Sequence, residues 1–260
     1  MITGRRRNQG ERVLLAADGV RVLARHTAAP AGGRDLAFVV AHGFTGSSSG
    51  RVSRGMARVL SGSAGVVAFD FRGHGGSGGV STVGDLEVLD LAAAVDWARL
   101  LGYRRIVPVG FSMGAGVAVR YAGLAAGTPD AVDALVAVSS PSRWHYRGTP
   151  PMRLLHRGVE TPVGRRVLAA GFGTRIAASG WDPWPSPPDA LVARVAPAPL
   201  LVVHGDADSY FPLEHARWLV EAARGPAELW VEPGFGHAEA GATPELLRRV
   251  AAWALAATAA

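Results

Sequence analysis

Ser112 is the residue of this 260-residue chain whose surroundings best suit covalent chemistry. It lies at the centre of the pentapeptide 110–114, GFSMG, after an apolar run and before a helical pattern. A serine at such a strand-to-helix turn adopts strained backbone, so the residues two positions away must lack bulk. The start of the helix also brings unpaired backbone N–H groups close to the serine. The pentapeptide therefore predicts a nucleophile at Ser112.

A serine hydroxyl needs a base, and the base needs an acid that orients it. His237 follows the last predicted strand and is the predicted base. Asp208 follows the preceding strand, at the end of residues 204–208, HGDAD, and is the predicted acid. Asp206 competes with it but is better placed to stabilise the turn. More remote alternatives are Asp70 and Asp182.

Charge that develops on a carbonyl oxygen must be met by fixed hydrogen-bond donors. One predicted donor is the backbone N–H of Met113, the residue after the nucleophile. The other is the backbone N–H of Phe44, which follows an early predicted strand in residues 42–44, HGF. We expect His42 to shape that loop and not to transfer protons.

Six short apolar runs must position these residues, and each ends near polar or glycine residues. They cover residues 36–41, 66–69, 106–109, 132–138, 200–203 and 228–231. Runs of this kind suit strands buried on both faces of a parallel sheet. Helical patterns lie between them at residues 52–60, 85–101, 115–126, 213–223 and 244–257. The alternation predicts a doubly wound α/β sheet, with ligands beyond the carboxyl ends of the strands.

Two regions depart from this alternation. At the start, residues 12–16 and 20–25 resemble strands joined by Asp18-Gly19, which predicts an antiparallel hairpin with a two-residue turn. Later, residues 140–199 are rich in proline, tryptophan and arginine, and we expect an insertion with one or two short helices.

Composition excludes several classes of protein. The chain has no cysteine, so disulfides and thiolate chemistry are ruled out. The formal charge is +6 and all 27 basic residues are arginine, but they are scattered, which argues against a nucleic-acid partner. The longest apolar run, 250–260, is shorter than the ~20 residues of a membrane span. We expect a cytoplasmic protein, and the sequence does not predict an oligomeric state.

The chain resembles the α/β-hydrolase superfamily along nearly its whole length. Four signatures appear in the usual order: residues 42–44 (HGF), 70–77 (DFRGHGGS), 110–114 (GFSMG), and 204–208 (HGDAD) with 236–237 (GH). The resemblance implies that the second signature is structural, so His74 and Ser77 are not catalytic candidates. It also implies a single domain over residues 1–260.

The resemblance further implies acyl transfer through Ser112, Asp208 and His237, with no metal or organic cofactor. The expected reaction is hydrolysis of a carboxylic ester in a small-molecule substrate, through a covalent acyl-enzyme. In this superfamily the region corresponding to residues 140–195 forms a cap over the serine. We expect that cap to set substrate choice.

Aromatic side chains of the expected cap are candidates for an acyl pocket. They are Trp144, Trp181 and Trp184, with Phe172 and Leu154 as further candidates. Packing of the cap onto the sheet explains each of them equally well. Nearby arginines would meet an anionic substrate or else remain solvated: Arg143, Arg147 and Arg153.

Two groups of alternatives remain open. A thioesterase, an acyltransferase, a C–C bond hydrolase or a cofactor-free perhydrolase would use the same triad. A catalytically silent binding protein would keep the fold, although the intact set of Ser112, Asp208 and His237 argues against it. A dinucleotide-binding enzyme is disfavoured because residues 110–116 lack the G-x-G-x-x-G spacing.

Overall fold

A computed structural model of the chain describes residues 9–30 and 33–259. Within these ranges the strands are β1 (Gln9–Leu15), β2 (Arg21–Thr27), β3 (Leu36–Ala41), β4 (Gly65–Phe69), β5 (Arg105–Phe111), β6 (Leu135–Val138), β7 (Leu200–Gly205) and β8 (Ala227–Glu232). The helices are α1 (Arg51–Leu60), α2 (Glu87–Leu100), α3 (Met113–Ala125), α4 (Pro150–Glu160), α5 (Pro162–Phe172), α6 (Pro188–Leu191), α7 (Glu214–Ala222), α8 (Ala238–Gly241) and α9 (Pro244–Ala257), with a 3₁₀ turn at Val192–Arg194. No helix in this part of the chain combines the length and apolar character needed to cross a bilayer.

The strands form one sheet in the order β1-β2-β4-β3-β5-β6-β7-β8. Strands β3 to β8 run parallel, while β1 and β2 add an antiparallel hairpin at one edge. Because β4 and β5 flank β3, the chain moves first to one side of β3 and later to the other. Loops that leave such a reversal point diverge and open a crevice at the carboxyl ends. Gly43 and Ser112 lie in the two loops that follow β3 and β5.

Helices cover both faces of the sheet. Every residue of β3, β4 and β7 is buried, as expected for strands packed on two sides. Side chains such as Leu91 of α2 and Leu219 of α7 pack on one face, and Leu60 of α1 and Val250 of α9 pack on the other. Burial of each such side chain stabilises the fold by about 1.5–3 kcal/mol. The predicted doubly wound α/β class is confirmed.

The N-terminal hairpin is confirmed, but its turn is longer than the predicted two residues. Strand pairing ends with Leu15 opposite Arg21, so residues 16–20 form the connection. Gly19 adopts φ 80°, the left-handed backbone that glycine tolerates best. The Asp18 carboxylate accepts the Val20 N–H at 3.4 Å within the turn and also binds a cation on another loop.

That cation is Arg72, whose buried guanidinium lies on the loop after β4. It binds Asp18 at 2.7 Å and Asp90 of α2 at 2.8 Å. Burial alone would lower the pKa of Arg72, but the two carboxylates outweigh burial and raise it. The ion cluster ties the hairpin turn to the helical layer, in agreement with a structural role for the 70–77 motif.

Strand β6 begins three residues later than the predicted start at residue 132. The Asp133 carboxylate accepts a hydrogen bond from the Ile106 N–H at 2.7 Å. Asp133 therefore serves as an anchor beside the start of β5, and regular pairing of β6 with β7 begins at Leu135.

Residues 139–199, which we call the β6–β7 segment, contain α4, α5 and α6. Thr149 and Thr161 cap α4 and α5 by accepting a backbone N–H, and each is followed by proline at the first helical position. Helix α4 buries Met152 and His156, whereas α5 buries none of its residues. The segment is therefore held to the sheet mainly through α4, α6 and the loops.

Candidate active site

Ser112 lies at the turn between β5 and α3 with φ 50° and ψ −117°. A left-handed backbone of this kind costs a non-glycine residue about 1–3 kcal/mol. A Cβ at Gly110 would collide with the Gly114 carbonyl oxygen, and one at Gly114 would collide with the Ala41 carbonyl oxygen. The Ser112 N–H donates to the Val138 carbonyl at 2.9 Å. Close backbone packing thus explains both glycines of the pentapeptide and holds the strained turn in place.

Ser112, His237 and Asp208 form a continuous chain of hydrogen bonds. Ser112 Oγ lies 2.8 Å from His237 Nε2, and His237 Nδ1 lies 2.8 Å from Asp208 Oδ2. The Asp208 side chain is fully buried on the loop after β7, and His237 directly precedes α8 after β8. The three residues follow β5, β7 and β8, whose carboxyl ends lie at the same edge of the parallel sheet, with β6 between β5 and β7. In this geometry the imidazole can take the serine proton while the carboxylate holds its orientation.

The other aspartates considered as the acid are engaged elsewhere. Asp206 Oδ1 accepts the Gly234 N–H at 2.7 Å, so it braces the loop, as its position in the turn suggests. Asp70 accepts from the Gly76 N–H at 2.8 Å and holds the loop after β4. Asp182 is exposed on the β6–β7 segment. Among the four candidates, only the Asp208 carboxylate bonds to His237 in the described structure.

The surroundings of Asp208 keep it ionised. Burial raises the pKa of Asp208, but hydrogen bonding and charge interaction with His237 lower it by more. The N–H groups of Tyr210 and Phe211 add to this effect by donating to Asp208 Oδ1 at 2.8 and 3.1 Å. The net pKa of Asp208 is lowered from its usual value. A buried negative charge is thus available to stabilise a protonated imidazole.

The two predicted oxyanion donors lie on the loops that flank Ser112. Met113 is the first residue of α3, so its N–H has no acceptor within that helix. Phe44 follows β3 in the loop that contacts the serine, and no acceptor for its N–H is found among the described residues. Both groups are therefore available to a ligand at Ser112.

His42 holds the Phe44 loop. Its Nε2 accepts the Phe71 N–H at 3.1 Å, so its Nδ1 carries the proton and donates to the Gly43 carbonyl at 2.7 Å. Burial, with a contribution from the nearby His74, lowers the pKa of His42 to about 4. A neutral histidine with both nitrogens occupied cannot act as a proton carrier. The geometry agrees with a loop-shaping role for His42.

Glu239 is a polar residue of the site that the sequence reasoning missed. It lies in the first turn of α8, and its Oε1 accepts the Gly43 N–H at 2.5 Å. A Cβ at Gly43 would lie 3.0 Å from Glu239 Oε2 and 3.3 Å from Ser112 Cβ, which shows how tightly these groups meet. Burial raises the pKa of Glu239. The signal in the sequence was an acidic residue two positions after the predicted base.

A large cavity extends from Ser112 to the helices of the β6–β7 segment. We call it the Ser112 cavity; its volume is about 1990 Å³, larger than the ~300–1,000 Å³ of ordinary ligand pockets. Phe44, Met113, His237 and Glu239 line its inner end. Most of its remaining wall is apolar, so it can hold a bulky apolar group next to the serine.

The three predicted tryptophans all line this cavity, in different environments. Trp144 is buried and packs against the positions of Gly84 and Gly116. Trp181 is half-buried and donates its indole N–H to the Thr82 carbonyl. Trp184 is 61% exposed, with its ring centroid 5.2 Å from that of Trp181. Leu154 and Phe172 also line the cavity and are largely exposed.

The arginines considered as anion ligands are engaged with protein groups. Arg143 pairs with Asp189 at 2.9 Å, and Arg147 pairs with Glu160. Arg153 donates to two backbone carbonyls of the loop before α4. These contacts leave the three guanidinium groups outside the lining of the cavity.

One group of described side chains has the composition of a metal site. Ligand atoms of His145, His156 and Glu160 lie within 4.8 Å of one another. Glu160 is paired with both Arg147 and His156, so protein groups satisfy its carboxylate without an ion. The hydrogen-bond chain at Ser112 includes none of these residues.

Comparison with known sequences gives a consistent family. The family described as alpha/beta hydrolase fold matches residues 37–155. An uncharacterized protein of Mycobacterium tuberculosis is 31% identical over 241 residues, covering 88% of this chain and 71% of that protein. Esterase LipC of the same organism is 30% identical over 170 residues, covering 58% of this chain and 40% of LipC.

A solved structure extends the similarity to the whole fold. The esterase Pf2001 of Pyrococcus furiosus superimposes with a TM-score of 0.72 and is 26% identical in sequence. The alignment covers 96% of this chain and 92% of Pf2001. Together with the sheet order and the turn at Ser112, these similarities show that the chain belongs to the α/β-hydrolase superfamily.

Proposed function

We propose that this hydrolase cleaves a carboxylic ester through a covalent acyl-enzyme on Ser112. The observation that carries the proposal is the chain of two 2.8 Å hydrogen bonds from Ser112 through His237 to Asp208. The names of two relatives, Esterase LipC and the esterase Pf2001, support the choice of an ester.

The proposed reaction has two halves. Ser112 Oγ attacks the ester carbonyl while His237 Nε2 takes the serine proton, and the oxyanion accepts from the N–H groups of Phe44 and Met113. The protonated His237 then gives its proton to the leaving alcohol, which leaves an acyl-serine. In the second half, water attacks the acyl group as His237 removes its proton, and the acid departs with the serine restored.

The proposal includes a role for residues 140–195 as a cap within a single domain. This segment supplies α4 and α5 and most of the wall of the Ser112 cavity opposite the sheet. Apolar side chains such as Trp144 and Trp181 would hold the acyl or alcohol group of a small-molecule substrate. A cytoplasmic location, expected from the sequence, is part of the same proposal.

A fluorophosphonate probe tests the nucleophile directly, because it labels an activated serine. We expect labelling and ester turnover in the wild-type protein, and loss of both in Ser112→Ala, with kcat falling by about 10⁴-fold or more. Ser63→Ala is the matched control, since Ser63 is exposed between α1 and β4 at the opposite edge of the sheet. Labelling that persists in a purified Ser112→Ala protein would overturn the assignment.

A panel of substrates separates the ester hydrolase from its rivals. Oxygen esters and thioesters of matched acyl chain length are compared by kcat/KM, and a substrate with an activated C–C bond is added. The proposal requires the highest kcat/KM on an oxygen ester. Wild-type protein that neither labels nor turns over any substrate would instead favour a binding protein with the hydrolase fold.

A further inference from the structure

Strand β6 lies between β5 and β7 but supplies none of the three hydrogen-bonded residues of the site. Its last residue, Val138, accepts the Ser112 N–H at 2.9 Å through its carbonyl oxygen. The next residue, Ser139, donates its own N–H to the Val203 carbonyl of β7 at 2.9 Å. The carboxyl end of β6 is therefore fixed from both sides, next to the nucleophile.

Ser139 combines complete burial with a strained backbone. Its exposed fraction is 0% and its φ is 49°, in the left-handed region that favours glycine. Ser112 and Ala238 also adopt this region, with φ of 50° and 52°. Strained residues of this kind cluster at functional sites, where the surroundings hold them in place. Because glycine would fit the backbone of residue 139 more easily, a role for serine there must come from its hydroxyl group.

The Ser139 hydroxyl reaches the residue that directly follows His237. Ser139 Oγ accepts the Ala238 N–H at 3.0 Å across 99 positions of sequence. Ala238 is buried and is the first residue of α8, so its N–H has no acceptor within that helix. A buried N–H without a partner is destabilising, and Ser139 supplies the partner. The hydroxyl thus fixes the backbone beside the predicted base.

We propose that Ser139 is a positioning residue for His237. The imidazole must lie within hydrogen-bond reach of Ser112 and Asp208 at once, and it lies 2.8 Å from each. The Val138 carbonyl holds the backbone of the nucleophile, and the Ser139 hydroxyl holds the backbone next to the base. Two consecutive residues at the end of β6 thereby set the spacing between Ser112 and His237.

The role of Ser139 in turnover rests on the proposed ester hydrolase. A displacement of reacting groups by about 1 Å can lower a rate by about 100-fold. Ser139 lies outside the lining of the Ser112 cavity, so substrate binding should not depend on its side chain. Loss of the hydroxyl is therefore expected to lower kcat and to leave KM unchanged.

The test compares Ser139→Gly with Ser139→Ala on an activated ester. Both variants lose the acceptor of the Ala238 N–H, but only glycine relieves the left-handed backbone. We expect kcat to fall by about 10- to 100-fold in both variants, with KM unchanged. Urea unfolding checks the fold, and Ser139→Gly should unfold at no lower a urea concentration than Ser139→Ala.

Ser140→Ala is the matched control for the loss of a buried hydroxyl. Ser140 is the next residue, is equally buried, and donates its hydroxyl to the Pro141 carbonyl at 3.0 Å. Its removal should leave kcat within about 3-fold of the wild-type value, because the bond to Ala238 stays intact.

A second comparison asks whether Ser139 acts through His237. His237→Ala should retain a residual turnover of the activated ester, as enzymes that lose one member of a triad do. Adding Ser139→Gly should lower this residual rate by less than about 2-fold, because there is no imidazole left to position. A further loss as large as in the wild-type background would contradict the proposal.

Hydrogen exchange measures the anchoring bond without catalysis. The Ala238 amide should exchange about 10-fold faster or more in Ser139→Gly than in the wild-type protein. Ser140→Ala should leave that exchange rate unchanged. NMR of the isotope-labelled protein resolves the amide.

Three further outcomes would overturn the role of Ser139. They are wild-type kcat in both Ser139 variants, an unchanged exchange rate of the Ala238 amide, and activity that Ser139→Gly keeps while Ser139→Ala loses it. The last outcome would assign residue 139 to backbone conformation alone. If the wild-type protein neither labels at Ser112 nor turns over an ester, the hydrolase proposal fails and the role in turnover fails with it, even where exchange still depends on Ser139.

Discussion

The carboxyl edge of the sheet and the β6–β7 segment line the same cavity, but they are held in different ways. At the sheet edge, Ser112, His237 and Asp208 are fixed by hydrogen bonds to one another and by attachment to strands of the buried sheet. In the segment, α5 buries no residue, and Val163, Val167 and Phe172 line the open Ser112 cavity. The positions of Ser112, His237 and Asp208 therefore depend on the packed core. Residues of α5, on the opposite wall of the Ser112 cavity, can be substituted without disturbing that core.

The largest expected effect lies at the sheet edge, in the orientation of the base. Asp208→Asn should lower kcat by about 10⁴-fold, because an amide no longer fixes the imidazole tautomer or stabilises its charge. Steady-state kinetics on an activated ester measures the loss. Asp206→Asn is the matched control, since Asp206 braces Gly234 and does not bond to His237, and we expect a change below about 10-fold. Equal losses in the two variants would contradict the assignment of the acid.

A smaller loss is expected where Glu239 holds the loop of Phe44. Glu239→Ala removes the acceptor of the Gly43 N–H, and kcat should fall by about 10- to 100-fold, less than loss of a whole oxyanion donor. Glu239→Gln keeps a carbonyl acceptor and should recover most of the activity. Wild-type kcat in Glu239→Ala would show that the loop holds its shape unaided.

The pH profile separates this positioning role from simple packing. Because burial raises the pKa of Glu239, its negative charge develops at a higher pH than for an ordinary carboxyl group. That charge lies beside the position of the oxyanion and opposes its formation. In the wild-type protein, kcat should therefore fall as the pH rises through the ionisation of Glu239. This fall should be absent from Glu239→Gln, which cannot ionise.

The smallest expected effects are on the free energy of unfolding. They compare a valine of the sheet with a valine of the β6–β7 segment. Val203→Ala removes buried methyl groups from β7 and should cost about 2 kcal/mol of unfolding free energy. Val167→Ala, on exposed α5, should change it by no more than about 0.5 kcal/mol. Urea unfolding measures both. Equal losses would mean that α5 packs against the rest of the chain more firmly than its exposure indicates.

Much of the sheet and the placement of the reacting groups could be predicted because both depend on local patterns. Continuous apolar runs locate the parallel strands, and residues after neighbouring strands of a parallel sheet meet at one edge. Ser112, Asp208 and His237 were therefore expected to lie close together, and the structure brings them into hydrogen-bond contact. Their catalytic roles stay a prediction until the variants are measured.

Features that depend on long-range contacts could not be predicted in this way. The start of β6 is set by Asp133 reaching Ile106, and Glu239 reaches Gly43 across 196 positions of sequence. Helical periodicity predicts that a helix forms, but not whether another element covers its apolar side. The exposure of α5 and of Trp184 therefore became visible only in the fold.

The ion cluster at Arg72 makes the N-terminal hairpin part of the structural support of the loop after β4. Its guanidinium is shut away from water between Asp18 and Asp90, one from the hairpin turn and one from α2. A truncation that removes Asp18 would leave the Arg72 guanidinium with one carboxylate partner fewer and would expose it to water. The damage would reach the loop of residues 70–77, whose Phe71 N–H binds His42, the residue that holds the Phe44 loop, so shortening the amino terminus should lower activity from a distance.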